Sequence, residues 1–382
     1  MRARVVDWAL FILVLIGVGT GFWSFLVGDP QGRWLFVAHG ALGLAILGVL
    51  AAKLRRVTPV VLAAKSDRNA EAAGILTALA ALVTVGIGVW WVVVQQPSQY
   101  PSGMILHTTA AILLLGFCLW HLFVRYRPLK RRDVRDRRSL LRLATILAGG
   151  GVLWAGVEAG VRVAGTAGSY RRFTGSRRAE GTLPVTMWML DSPQPIDINN
   201  YALEVSGAVA QSLRFSAGEL ARLPQSRLVA TLDCTGGWYS EQEWQGISIG
   251  ELLAQASPHA NARYVRFRSV TGYRWSLPLE EAAATILATH VGSAPLDHGH
   301  GAPLRLVAPG RRGFQWVKWV VAMEVLEAPD VGQWAAIFTS GWMVHSKTVT
   351  GQNCYWRSKA AWKGPTVPGR PGTSWQLRQR AS

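Results

Sequence analysis

Apolar residues are distributed along the chain in two ways, and the change falls near residue 165. Before it they form runs long enough to cross a hydrocarbon core of about 30 Å. These runs predict helices near Trp8–Val27, Trp34–Ala52, Ala72–Val94, Gly103–Val124 and Leu140–Val161. After it the runs are short. "YALEVSGAV", "RLVATLDC", "ARYVRFRSV", "APLRLVAP" and "WVKWVVAMEVLE" are β-rich and predict strands, while "SAGELARL", "SIGELLAQA" and "PLEEAAATILA" read as short helices. Strands and short helices in irregular alternation, with abundant Gly and Pro, indicate an α+β domain, and about 200 residues can bury a core of their own. The expected architecture is a membrane all-α domain of five helices over residues 1–165, an α+β domain over 166–342 and a C-terminal extension over 343–382. The basic end of that extension, "KGPTVPGRPGTSWQLRQRAS", is rich in Pro, Gly and Ser and reads as disordered or loosely attached.

Five crossings put the two ends of the membrane region on opposite sides. The loops "KLRRVTPVVLAAKSDR" and "RYRPLKRRDVRDRR" are crowded with Lys and Arg, whereas "GDPQGR" holds one Arg and "QQPSQYPSG" none. By the positive-inside bias the N-terminus is cytoplasmic, and everything after the fifth helix is periplasmic or extracellular. The formal net charge of +18 is in large part accounted for by those loops. It therefore argues for a multi-pass protein with membrane lipid as its partner, not for nucleic-acid binding. Arg137 and Arg138, followed by Ser, two leucines and Arg142, resemble a twin-arginine export signal, although charge flanking a helix explains them equally well. There are three cysteines. Cys118 lies inside the fourth helix, so only Cys234 and Cys354 are candidates for an extracytoplasmic disulfide, and the chain is not a disulfide scaffold.

Ionisable residues within membrane spans are rare and usually functional. His39 and His107 each lie a few residues inside helices that enter from the outer side, within roughly 8 Å of the boundary at the helical rise per residue. Two neutral imidazoles at matched depth can provide the axial ligands of a b-type haem, with hydrogen bonding to neighbouring helices as the plainer alternative. His121 follows His107 by fourteen residues and points to nearly the same face, near the cytoplasmic side. Its level partner on the second helix is Lys53, which cannot ligate as an ammonium. One haem is therefore expected, with a structural or quinone-side role for His121.

Cys234 ends an apolar run and is followed at once by two glycines and two aromatics. A disulfide, a buried thiol and a metal ligand are all open from that stretch alone. Three segments, "LDCTGGWYSEQEWQGISIGELL", "TGYRWSLPLEEA" and "HGAPLRLVAPGRRGFQWVKWV", resemble in order and spacing the molybdopterin-binding domain of the sulfite oxidase family, which also includes the catalytic subunit of periplasmic methionine sulfoxide reductase. The resemblance covers Leu183 to Glu327. It implies that Cys234 is the thiolate ligand of molybdenum, and a soft sulfur suits such a metal. It implies that His300, Arg305 and Lys318 hold the pterin's phosphate and ring, with Arg305 and Lys318 able to neutralise a buried phosphate. It also implies that Tyr273 is an active-site tyrosine whose phenol reaches a metal oxo group or a substrate oxygen.

The chain departs from the family in two places. No arginine follows Cys234 closely, and a histidine-bearing motif before the first strand is missing, which weighs against sulfite and toward a neutral or larger substrate. Arg311 and Arg312 sit in a loop near the cofactor and read as a solvated turn. The implied function is oxygen-atom-transfer redox chemistry on an S-oxide, N-oxide or sulfite-like compound, with electrons exchanged with the quinone pool through the haem in either direction. The alternatives are a molybdoenzyme whose helices only anchor it beside a separate cytochrome, and a non-catalytic membrane-anchored binding module.

Overall fold

A computed structural model describes residues 1–62, 68–94, 102–180, 183–187 and 191–341. The expected extension over 343–382, including Cys354, lies outside the described residues.

Among the described residues five helices are long and apolar enough to cross a membrane: α1 (Ala3–Ser24), α2 (Arg33–Leu62), α3 (Arg68–Val94), α4 (Gly103–Val124) and, after the short α5 (Arg131–Val134), α6 (Arg137–Val163). The helix α2 runs ten residues past the predicted end at Ala52, because "KLRRVT" contains good helix formers and the first proline is Pro59. Close packing between helices uses small residues. A Cβ on Gly150 of α6 would lie 2.7 Å from the Ala41 carbonyl and 2.8 Å from the Ala45 Cβ of α2, and Gly40 of α2 accommodates the indole of Trp154. The outward faces expose Ile112, Leu113, Val152 and Leu153, an apolar surface of the kind that lipid covers.

The described residues of the second half form eleven strands: β1 (Arg177–Arg178), β2 (Ala202–Gly207), β3 (Leu213–Ser216), β4 (Gln225–Cys234), β5 (Trp238–Ser248), β6 (Tyr264–Ser269), β7 (Arg274–Pro278), β8 (Ile286–Val291), β9 (Ala294–Pro295), β10 (Arg305–Val307) and β11 (Val320–Leu326). One sheet runs β1-β5-β8-β10, with β4 on β5 and β9 on β8. The other runs β3-β2-β11-β6-β7, mostly antiparallel with a parallel β2–β11 pair. Helices α7 (Ala217–Arg222), α8 (Ile249–Ala256), α9 (Leu279–Ala283) and α10 (Gln333–Thr339) complete the α+β domain. Trp244, Trp316, Phe267, Leu203, Leu306 and Met323 are fully buried in one shared core.

Two local readings change. "PLEEAAATILA" is helical only to Ala283, and Ile286–Val291 is the strand β8, hydrogen-bonded between β5 and β10. β-branched residues buried in the middle of a sheet override the helical period of the preceding alanines. "WYSEQEWQGIS" is an eleven-residue strand that the sequence reading did not list. Its buried positions are Trp238, Ser240, Trp244, Gly246 and Ile247, and the charges between them obscure the alternation.

Candidate functional site

Cys234 is the last residue of β4, paired with Trp238 at the start of β5, so the hairpin turn is Thr235-Gly236-Gly237. The turn folds back on the sulfur: the Gly236 N–H donates to Cys234 Sγ at 3.3 Å, and the Gly237 N–H donates to the Cys234 carbonyl at 3.0 Å. Gly237 has φ +95°, open to glycine, and a Cβ there would lie 2.7 Å from the ring of Trp91 in α3. Cys234 is a free thiol, and burial pushes it above the ordinary thiol range. A soft, unbridged sulfur of this kind loses its proton when it coordinates a metal.

The strand end is held from behind by Asp233, which is 0% exposed. Its carboxylate accepts hydrogen bonds from Arg172 Nη1 at 2.8 Å, Thr174 Oγ1 at 2.7 Å and Ser176 Oγ at 2.7 Å. Arg312 lies 3.6 Å away on the other side and donates to the Cys234 carbonyl at 3.3 Å. The expectation of a solvated turn is thus corrected for Arg312, which is 2% exposed against the Cys234 strand. Arg311 turns outward and pairs with Glu281 at 2.5 and 2.6 Å. Sequence reasoning missed Asp233 and its partners; the only signal was an acid directly before the cysteine.

His300, Arg305 and Lys318 converge on the turn from His298 to Gly301. Arg305 Nη1 donates to the His300 carbonyl at 3.0 Å, and Lys318 Nζ donates to the Gly299 carbonyl at 2.5 Å and the Thr186 carbonyl at 2.7 Å. The Thr186 hydroxyl lies 3.7 Å from Cys234 Sγ, which links the group to the sulfur. The ring nitrogens of His300 face the Leu183 carbonyl and the Asp297 carboxylate, each at 2.9 Å. His300 and Asp297 line a cavity of about 330 Å³ with Leu183, Gln242, Val291, Ala294 and Pro295.

These residues fit an anionic pterin. Arg305 is 3% exposed, and among the described residues it has no carboxylate within 4 Å. Its Nε, together with Nε and Nη1 of Arg312 and Nε2 of Gln315, is buried without a hydrogen-bond partner. Burial holds Arg305 down to about 10, and burial reinforced by Arg305 holds Lys318 down to about 7. Orphaned buried cations are costly, and a phosphate-bearing ligand satisfies them.

The Tyr273 hydroxyl donates to the Phe314 carbonyl at 2.7 Å. Phe314 follows Gly313, whose own Cβ position would be 3.2 Å from Cys234 Cα, so the phenol sits one residue from the cysteine strand. Burial, and secondarily the charge of Asp191, raises the phenol well above the ordinary range. Asp191 is itself buried, and that burial raises its carboxyl.

In the helices, the imidazoles of His39 and His107 face one another with ring centroids 6.0 Å apart and planes at 84°. His107 Nδ1 donates to the Thr84 carbonyl at 2.9 Å, which leaves the lone pair on Nε2. His39 Nδ1 lies 2.9 Å from Thr20 Oγ1, whose single proton is directed at the Ile16 and Gly17 carbonyls, so the same tautomer follows. A Cβ on Gly21 would be 3.3 Å from the His39 ring and one on Gly88 3.0 Å from the His107 ring. His121 does not join this pair: its Nε2 lies 3.2 Å from Lys53 Nζ, which also pairs with Asp7 at 3.1 Å.

The two halves meet at the cysteine turn. Ser102 Oγ donates to the Gly236 carbonyl at 2.7 Å, Trp91 Nε1 to the Gly175 carbonyl at 2.9 Å, and Arg172 Nη2 to the Gly28 carbonyl at 3.0 Å. The helix ends that carry His39 and His107 are the ends that face the β domain.

Residues 190–334 match the family described as the oxidoreductase molybdopterin binding domain. The chain is 30% identical over 157 residues to the protein-methionine-sulfoxide reductase catalytic subunit of Xanthomonas campestris pv. campestris, an alignment covering 36% of this chain and 49% of that protein. It is 27% identical over 146 residues to a protein of Azospira oryzae provisionally named protein-methionine-sulfoxide reductase subunit YedZ1, covering 38% of this chain and 56% of the relative. The chain thus spans about half the length of the curated relatives it matches. Among solved structures, the sulfane dehydrogenase SoxCD from Paracoccus pantotrophus aligns at 25% identity and a TM-score of 0.35 over 36% of this chain and 41% of that one. The β-rich half of the chain thus carries a molybdopterin-binding oxidoreductase domain, on the same polypeptide as five helices that, among the described residues, are long and apolar enough to cross a membrane.

Proposed function

We propose that this chain is a membrane-bound molybdenum oxidoreductase in which residues 166–342 perform oxygen-atom transfer and residues 1–165 relay electrons between that site and the quinone pool through one b-type haem. The positive-inside bias supports a cytoplasmic N-terminus and a periplasmic or extracellular catalytic domain. The observation that carries the catalytic half is the free Cys234 thiol in the same domain as Arg305, a buried cation with no carboxylate within 4 Å among the described residues and with an unpartnered Nε. When bound, the cofactor supplies a metal that accepts or donates an oxygen atom with two electrons. Cys234 fixes the metal in the domain. Arg305 and Lys318 hold the pterin's phosphate, with His300 bordering the same cavity. The Asp233 clamp fixes where the sulfur points, and the Trp238 and Tyr239 side of the turn favours a neutral substrate over sulfite.

The activity for which the relatives are named, methionine sulfoxide reduction, supports an S-oxide as that substrate, with electrons flowing toward molybdenum. Tyr273 and Asp191 border the site as the groups best situated to exchange a proton with the substrate oxygen. The haem reading rests on His39 and His107. Two metal–imidazole bonds of about 2 Å put ring centroids roughly 6 Å apart, in agreement with the 6.0 Å observed. Both Nε2 lone pairs are free of the Nδ1 hydrogen bonds, as ligation needs. At the other end of the bundle, Lys53, His121 and Asp7 form an ionisable cluster suited to proton exchange with a quinone head group.

The test is metal analysis of protein made in molybdate-replete cells, with an optical spectrum and a screen of S-oxides, N-oxides and sulfite. One molybdenum and one reducible b-type Soret band per chain, with S-oxide turnover, are expected. Absence of molybdenum overturns the reading. Molybdenum without haem reduces the helices to an anchor beside a separate cytochrome.

A further inference from the structure

The turn that carries Cys234 is bonded directly to the helix that carries His107, and the bonds form one unbroken path. Cys234 Sγ accepts from the Gly236 N–H at 3.3 Å. Three covalent bonds further on, the Gly236 carbonyl accepts from the Ser102 hydroxyl at 2.7 Å. The carbonyl of Ser102 in turn accepts from the Leu106 N–H at 3.0 Å, and Leu106 is joined by a peptide bond to His107. Three hydrogen bonds and about a dozen covalent bonds therefore connect the sulfur to the imidazole.

Ser102 is bound on both sides for this purpose. It is the residue that opens α4, where its Oγ also accepts from the Ile105 N–H at 3.3 Å. Trp91 and Met104 press on Gly237 from the helical side, at 2.7 and 3.3 Å from the position a Cβ would take. Several further contacts between the halves, among them Trp91 with Gly175, Arg172 with Gly28, Phe36 with Phe173 and Phe22 with Trp334, lie off the path. Docking is thus secured elsewhere, and the Ser102 hydroxyl is left with a separate task.

We propose that Ser102 is a positioning residue for electron transfer: its hydroxyl couples the Cys234 turn to the His107 helix and sets the rate at which electrons pass between haem and molybdenum. Tunnelling decays less steeply through bonds and hydrogen bonds than across a gap, so one hydrogen bond at the junction governs the coupling. The inference rests on the haem and molybdenum reading above. Each transfer moves one electron and no atoms, oxidising the haem iron by one unit and reducing molybdenum by one. Two transfers with two protons convert a sulfoxide into a sulfide and water, and a quinol oxidised to a quinone supplies the two electrons.

The test uses the full chain loaded with both cofactors and compares wild type with Ser102→Ala, Ser102→Gly and Ser102→Thr. Glycine is tolerated at a helix start and lacks the hydroxyl, so it separates the relay from the cap. Rates are read as haem reoxidation in a single turnover, after quinol reduction and mixing with a dialkyl sulfoxide. Haem midpoint potential and the relaxation enhancement of the molybdenum electron-spin signal by the haem report whether geometry has changed. The expected result is a several-fold slower haem reoxidation in the Ala and Gly variants, restored in Thr, with potential and spin relaxation unchanged. Wild-type reoxidation in Ser102→Gly overturns the relay and leaves the functional reading intact. A slower rate accompanied by altered spin relaxation also overturns it, by making Ser102 a docking contact. A wild-type chain that binds no haem ends both.

Discussion

On the proposed reading, the two halves of the molecule prepare for their cofactors in opposite ways. The β domain surrounds its site with charge: Arg305 and Arg312 are buried, keep donors without partners, and are held below their ordinary range by burial. The helical domain surrounds its site with none. His39 and His107 face each other with their Nδ1 atoms engaged by a hydroxyl and a carbonyl, and glycines make room for the rings. The difference follows from the ligands each fits. A phosphate-bearing pterin has to be neutralised where water is absent, whereas a metal macrocycle in a lipid-bounded bundle needs lone pairs and space. One half is consequently frustrated until loaded, and the other is not.

The widest separation of the two halves comes from one substitution in each. Cys234→Ala is expected to abolish sulfoxide turnover with any electron donor while the Soret band persists. His107→Ala is expected to abolish the Soret band and quinol-driven turnover, yet to retain turnover when a reduced dye feeds molybdenum directly. Spectra and the two assays on each variant check this. Loss of dye-driven turnover in His107→Ala sinks the division of labour.

The next effect concerns pH. Lys318 is held to about 7 in the folded domain without ligand, against an ordinary value of 10.5. Between those values the unfolded chain binds a proton that the folded chain does not, so folding stability rises as pH increases through that window. Below about 7 both states are protonated and the penalty is fully present. Melting of the cofactor-free chain from pH 7 to 10 should show the rise, at most about 1.4 kcal/mol per pH unit from this one group. Among the described residues the His39–His107 pair has no such group beside it, and the loaded chain should lose the slope because phosphate keeps Lys318 charged. A flat profile in the cofactor-free chain contradicts the burial of an unneutralised ammonium.

How much of this was legible in the sequence follows the same division. The five spans were readable because lipid exposure demands unbroken apolar runs, and the imidazole pair because two histidines at matched depth break them. Cys234, His300, Arg305 and Lys318 were picked out through the family resemblance in their order and spacing; the fold sets the last three around the turn from His298 to Gly301, with Thr186 linking Lys318 to the sulfur. The Asp233 clamp was not, since Arg172, Thr174 and Ser176 come from the connection after α6, about sixty residues upstream, where no period marks them. Arg312 was misread for a physical reason: a basic pair in a Gly-Pro turn has the composition of a solvated loop, and only the carboxylate of Asp233 makes its burial tolerable. The strand β8 was absorbed into a helix because β-branching shows its effect only once neighbouring strands exist.

The finest probe of the contrast is Arg305→Met, because its effect should change sign with loading. In the cofactor-free chain an unpaired buried guanidinium is replaced by an apolar side chain of similar length, which packs between Trp244 and Trp316, whose rings lie 5.5 and 5.9 Å from the guanidinium. By analogy with buried ionic groups exchanged for hydrophobic ones, the change should be neutral or stabilising by up to about 1–4 kcal/mol. In the loaded chain the same substitution strands the pterin's phosphate, so molybdenum content should fall and the stabilisation given by the cofactor should shrink. Denaturant melts of both forms, with molybdenum measured on each, check the pair of signs. Destabilisation in both forms would mean that Arg305 is held by the protein alone, through the His300 carbonyl and the tryptophan faces, and that its charge has no anion to wait for.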